Sequence, residues 1–178
     1  MRQQVAILFL ALNLSAVAST PALAHGPTRQ KVVETVTIKA APDAVWAKLK
    51  DFNGLSSWHP AVTESPATDG NKVGSVRNLK LKGGGELVET LESYSDADKK
   101  FSYRAKDGGA LPVTNYTSTM SVKPGDTAGT SAVEWRGAFY RAFANNNPPA
   151  GQDDEAAVKA ITGVYQGGLA NLKKQLEK

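Results

Sequence analysis

The chain has 178 residues, no cysteine, and 21 Lys and Arg against 17 Asp and Glu, for a formal net charge of +4. Without cysteine there is no disulfide, thiol chemistry or thiolate metal site, so packing and hydrogen bonds must supply the stability. The basic residues are scattered, with Lys99-Lys100 and Lys173-Lys174 the only doublets, which describes a solvated surface rather than a nucleic-acid footprint.

Residues 1–24 read as a secretory leader. Arg2 supplies the charge, residues 5–14 are apolar except for Asn13, and Ala22-Leu23-Ala24 is a small-x-small cleavage site. The apolar run is well short of the roughly 20 residues a bilayer span needs, so no stable membrane span is expected after cleavage. Cleavage after Ala24 leaves one domain's worth of chain, bound for the periplasm, with His25 at its new N-terminus. His25 next to a free amine is at most an isolated copper chelate, and no cofactor is expected.

Residues 25–30 read as a flexible lead, and residues 31–178 as a single domain. Residues 32–39 alternate as a strand, with Val32, Val36 and Ile38 on one face and Val33 on the other. Pro42 suits the first turn of a helix, and Val45, Trp46, Leu49 and Phe52 continue it at helical spacing until Asn53-Gly54. Residues 55–59 form a second short helix, closed by Pro60. Period-two patterning then takes over. Strands are predicted at 61–64, 75–81, 86–94, 101–105, 113–123 and 130–139, with Gly83-Gly84-Gly85 turning the first long hairpin. Residues 145–149 are loop by composition. A long helix follows from Asp153-Asp154-Glu155, its acidic start and its basic end (Lys173, Lys174, Lys178) complementing the helix dipole.

The helix carries one apolar stripe: Val158, Ile161, Tyr165, Leu169, Leu172 and Leu176. Gly163, Gly167 and Gly168 interrupt it at roughly 1 kcal/mol each against Ala. Such penalties suggest a helix that either approaches the sheet closely or leaves a hollow beneath it. A long antiparallel meander twists, and this helix is the only element available to cover its concave face.

Strand alternation places Arg77 inward with Leu79 and Leu81, and Glu89 inward with Leu87 and Leu91. Tyr103, Tyr116 and Trp135 point the same way, and Trp58 and His59 enter from the short helical segment at the cavity mouth. With a turn centred near Gly84, Arg77 and Glu89 lie diagonally across adjacent strands. Two readings stay open. Either the pair satisfies itself and fixes register, or Arg77 offers donors to an anionic or carbonyl ligand. His59 is either an acid/base or donor group at the mouth or a packing partner of Trp58. Tyr103, Tyr116 and Trp135 belong to the core, with at least two lining any cavity because their polar tips need partners.

Ala41-Pro42-Asp43-Ala44-Val45-Trp46 with Leu49, then Phe52, Leu55 and Trp58-His59-Pro60, resembles the helices after the first strand of the START/Bet v 1-like (SRPBCC) superfamily. Within it the chain looks like the polyketide cyclase/dehydrase and lipid-transport group. Gly74-Ser75-Val76-Arg77, Tyr103 and Leu111-Pro112-Val113 with Asn115-Tyr116 continue the likeness, which spans about residues 31–176. It implies an α+β helix-grip fold, in which a curved antiparallel sheet of about seven strands wraps a long C-terminal helix. Ala24-His25-Gly26-Pro27-Thr28, Gln30-Lys31-Val32 and residues 52–62 further resemble the MxaD-type periplasmic proteins. That group is encoded with methanol dehydrogenase and associated with coupling it to its cytochrome.

No catalytic set carries over from the resemblance. The expectation is a non-enzymatic periplasmic accessory or binding protein. It would hold a small apolar or amphipathic ligand and assist a dehydrogenase or cytochrome. The alternative is a cyclase or hydratase using His59 or Glu89 as general acid/base with Arg77 steadying an enolate, which requires inward polar groups to converge. A protein adaptor is the third reading, favoured if the interior holds no pocket of about 300 Å³.

Overall fold

A computed structural model describes residues 26–177. The leader and His25 lie outside the described residues. Seven strands make one antiparallel sheet in the order β1-β7-β6-β5-β4-β3-β2. They are β1 (Gln30–Ile38), β2 (Val62–Glu64), β3 (Val76–Leu81), β4 (Glu86–Ser95), β5 (Lys100–Ala105), β6 (Val113–Pro124) and β7 (Ser131–Arg141). Helix α1 (Pro42–Leu49) and a 3-10 turn (Phe52–Ser57) follow β1, and α2 (Asp154–Leu176) closes the chain. α2 packs against β1 and β7, so the concave face is gripped between sheet and helix as expected. No described helix is long and apolar enough to cross a membrane.

The period-two expectation holds along β1, where Val32 and Ile38 are buried and Val33 stands 57% exposed on the other face. β1 starts at Gln30 and ends at Ile38, two residues and one residue earlier than the predicted 32–39. The first helix stops at Leu49 rather than reaching Phe52. Asp51 is extended there (φ −76°, ψ 112°), and its carboxylate accepts from the Asn53 N–H. That local bond offers the backbone an alternative to helix, and Phe52 opens the 3-10 turn instead. The second helical stretch therefore covers Phe52–Ser57, and Trp58 and His59 follow it.

The first long hairpin turns through Gly84 (φ 91°) and Gly85 (φ 84°), left-handed values that glycine adopts without penalty. In β6 the alternation breaks. Asn115 takes φ 49°, and the β6–β7 register shifts between Thr114 and Thr117. The Asn115 N–H donates to Asp107 Oδ1 at 2.6 Å, which holds the bulge. Because of it, Val113 and Tyr116 both face the interior although three residues apart.

Of the three helix glycines only one meets the sheet layer. A Cβ on Gly168 would lie 2.6 Å from His59 Cδ2 and 2.9 Å from Trp135 Cζ3, whereas one on Gly163 or Gly167 would meet nothing within 4 Å. Gly168 thus serves close approach, whereas Gly163 is exposed and Gly167 half-buried, and neither lines the space beneath α2.

Candidate functional site

Arg77 and Glu89 are directly opposed in the β3–β4 ladder, not diagonal. The turn through Gly84 and Gly85 sets this register. Both side chains are 3% exposed. Arg77 Nε donates to Glu89 Oε2 at 2.6 Å and Nη1 donates to the Phe52 carbonyl at 3.2 Å. The guanidinium carbon lies 4.2 Å from the Phe52 ring centre and 4.8 Å from that of Tyr103. The pairing is single-pronged, since Glu89 Oε1 makes no hydrogen bond to a described residue. All fully buried side-chain nitrogens and oxygens among the described residues have partners. Glu89 also borders the hollow under α2.

His59 and Trp58 are buried (3% and 2% exposed) rather than at the rim. The physical reason is that α2 covers them. Asn171 Nδ2 donates to the Trp58 carbonyl at 2.7 Å, and Gly168 lets the helix lie on the His59 ring. The Ala61 N–H donates to His59 Nδ1 at 3.2 Å, so the proton sits on Nε2 and is donated to the Val164 carbonyl at 2.9 Å. Burial lowers the His59 pKa; the bond to Val164 opposes this, and the Arg77 charge adds to the lowering. The imidazole is neutral with both nitrogens engaged by the fold, which leaves it no free lone pair for proton abstraction.

Beyond His59 lies a cluster of hydroxyls. Trp135 Nε1 donates to Tyr103 Oη (3.1 Å) and Ser118 Oγ (2.9 Å). Ser118 Oγ donates to the Arg136 carbonyl at 3.0 Å and lies 3.0 Å from Tyr165 Oη, which is 2.8 Å from Tyr116 Oη. The Trp135 and Tyr165 rings stack at 4.4 Å. Burial, reinforced by Glu89, pushes the Tyr103 phenol up to about 12. Burial likewise raises Tyr116 and Tyr165, so all three phenols are neutral donors.

Between these groups is a cavity of about 60 Å³. Leu55, Val62, Leu79 and Leu87 wall it, with Glu89, Tyr103, Tyr116, Trp135 and His59 behind them. Exposed Ala61 and half-buried Leu81, Leu111 and Val164 mark its route to solvent. Trp58 and Arg77 do not line it. Trp58 packs on Trp135 (5.8 Å, edge-on), and Arg77 lies behind Glu89. The cavity is far below the about 300 Å³ of a drug-sized pocket. Tyr165 and Ser118 are the members that sequence reasoning missed as a site. Their only signals were Tyr165's place on the helix stripe and Ser118's inward parity. A larger depression of about 330 Å³, lined by Lys31, Val33, Thr117, Thr119, Arg136 and Ala138 among others, is open and lies on the sheet face away from α2. Among the described residues there is no group of three His, Cys, Asp or Glu able to hold a metal.

This architecture and sequence have known counterparts. The protein XoxI from Bacillus cereus is 32% identical, with 82% of this chain and 94% of that one covered at a TM-score of 0.71. An uncharacterised protein from Bacillus thuringiensis is 30% identical over 84% of this chain and all of the other, with a TM-score of 0.73. The ZhuI aromatase/cyclase of Streptomyces shares the fold at 18% identity, covering 84% of this chain and 94% of the enzyme at a TM-score of 0.67. No curated protein matches the sequence. The profile of the family described as polyketide cyclase/dehydrase and lipid transport matches residues 29–177, nearly all of the described chain. A gripped C-terminal helix, an inward-facing aromatic interior and that match together place this chain in the polyketide cyclase/dehydrase and lipid-transport family.

Proposed function

We propose that the protein is a non-enzymatic, exported binding protein that holds a small, largely apolar molecule beneath α2 and works beside a periplasmic methanol dehydrogenase and its cytochrome. The binding reading rests on the family and on the lining of the cavity; the volume it encloses, about 60 Å³, limits the occupant to a very small molecule and, being below about 300 Å³, also favours the adaptor reading. The cavity wall is almost wholly apolar, and nearly every inward polar group is engaged by another part of the fold. Such a lining holds a ligand by burial and orients it with few polar contacts. The compartment rests on the leader-like residues 1–24. The partner rests on the motifs at residues 24–32 and 52–62.

Two measurements test these parts separately. Native mass spectrometry of protein taken from the cells that make it is expected to show a small bound molecule; uniformly ligand-free protein would count against binding. Electron transfer from methanol dehydrogenase to its cytochrome is expected to accelerate when the protein is added. An unchanged rate at equimolar protein would remove the accessory role.

A further inference from the structure

Resting on the accessory reading above, we infer that the sheet face turned away from α2 is a docking surface for an acidic patch on a folded partner protein. An antiparallel sheet can leave one face to water, and this one is open: Lys31, Val33, Thr35 and Thr37 of β1 are all exposed on it. Strand order gathers here six cations that are scattered in sequence. Lys31 of β1, Arg136 of β7, Lys123 of β6, and Lys100 and Arg104 of β5 stand on the face, and Arg29 lies over the Tyr140 ring at 5.7 Å. Glu134, 3.8 Å from Arg136, is the carboxylate that the outward side of these four strands carries against them. Glu92 of the neighbouring β4 takes Arg104 at 2.6 Å. Elsewhere in the described chain thirteen Lys and Arg are outnumbered by sixteen Asp and Glu, so this face is positive on a molecule otherwise negative.

The register sets the layout. Lys31 pairs with Ala138 and Val33 with Arg136, and Thr117 and Thr119 stand opposite Ala138 and Arg136 on the next strand. Val33, 57% exposed, lies in the open depression of about 330 Å³ that these residues line. An apolar and hydroxyl-bearing centre flanked by charge is the plan of a protein interface. Strands of nine residues at about 3.3 Å each, four abreast and about 4.8 Å apart, give a face of roughly 550 Å². That is the low end for a specific interface, the size of a transient encounter, whose association rate charge complementarity raises. Glu134 and Glu92 oppose a uniform polyanion such as nucleic acid or an anionic bilayer, whereas a protein can set a donor against each. The cavity and its route past Ala61 and Val164 lie on the other side of the sheet, so docking leaves them open.

The test titrates methanol dehydrogenase and its cytochrome, in turn, into the isotope-labelled protein and follows its amide chemical shifts. Decaglutamate serves as a partner-independent acidic probe, with phosphatidylglycerol vesicles and a short DNA duplex as competing polyanions. Expected is binding of one of the two proteins, with shifts centred on Val33, Thr117, Thr119 and Ala138. Raising the salt from about 0.01 M to 0.15 M shortens the screening length from about 30 Å to 8 Å and should weaken binding about fivefold or more. Lys31→Glu with Lys123→Glu should weaken it about tenfold at the lower salt. Lys72→Glu with Lys159→Glu, which changes net charge equally off this face, should weaken it less than about twofold. All four lysines are exposed, so the variants keep the fold. Shifts centred elsewhere, or equal losses in the two double variants, overturn the docking face and leave the accessory role standing. If neither protein binds but decaglutamate shifts this face and loses affinity in Lys31→Glu with Lys123→Glu, the acidic-partner face stands and the dehydrogenase and cytochrome are removed as partners. No decaglutamate shift there, or tighter binding of the vesicles or the duplex, overturns the proposal.

Discussion

Alanine placed at each glycine of α2 separates close packing from helix propensity. Gly163 and Gly167 have nothing within 4 Å of an added Cβ, so alanine there should recover the propensity term of roughly 1 kcal/mol and raise the melting temperature by about 2–4 °C. The same substitution at Gly168 gains the same propensity but sets a methyl 2.6 Å from His59 Cδ2 and 2.9 Å from Trp135 Cζ3. Carbon atoms rest at about 3.5–4.0 Å, so rings or helix must yield by about an ångström. The rings have little freedom. His59 is held at both nitrogens, and Trp135 is bonded through Nε1 and stacked on Tyr165. Overpacking of this kind costs about 1–3 kcal/mol. Because propensity cancels between variants, Gly168→Ala should lie about 1–3 kcal/mol below Gly163→Ala, or roughly 2–12 °C in melting temperature. Urea denaturation and thermal melts by circular dichroism give both numbers. If the three alanine variants agree within about 0.5 kcal/mol, the helix does not rest on the His59 and Trp135 rings as described.

Arg77→Met alone should destabilise by about 3–5 kcal/mol because it strands a buried carboxylate, and Arg77→Met with Glu89→Leu should recover most of that loss; urea denaturation of the three proteins decides it. His59 titrates below its ordinary 6.5 in the fold, so its contribution to stability is full above about pH 6.5 and is lost as pH falls through that value toward the lower folded one. The stability-versus-pH slope between pH 7 and 5 should therefore be positive and reach at most about 1.4 kcal/mol per unit from this group. In His59→Gln the slope should flatten although the protein is weaker overall. Asp153 caps α2 by accepting from the Ala156 N–H at 2.8 Å, and Asp153→Ala should cost about 1 kcal/mol by thermal melting.

Much of the interior was legible because strand alternation is a local property. Parity alone puts Arg77, Glu89, Tyr103 and Trp135 on the inward face, and burial of all four follows it. Where a local competitor intervened, parity and periodicity failed. The Asp51 carboxylate took the Asn53 N–H and moved Phe52 out of α1. Asp107 held Asn115 in a left-handed bulge that brought Val113 inward beside Tyr116. Neither bond leaves a hydrophobic period to detect. The depth of His59 was also invisible, since it depends on a glycine more than a hundred residues downstream.

The amino-acid order by itself determined the elements, the face each side chain takes and the family, because φ/ψ preference, alternation and turn chemistry act over a few residues. Tertiary structure decided what the interior can do. Arg77 and Glu89 became a direct pair through the register of one turn. Tyr165 from α2 met Ser118 from β6 and Trp135 from β7 and filled most of the hollow. What space remains is the difference between volumes brought together from distant parts of the chain. No local pattern encodes that difference.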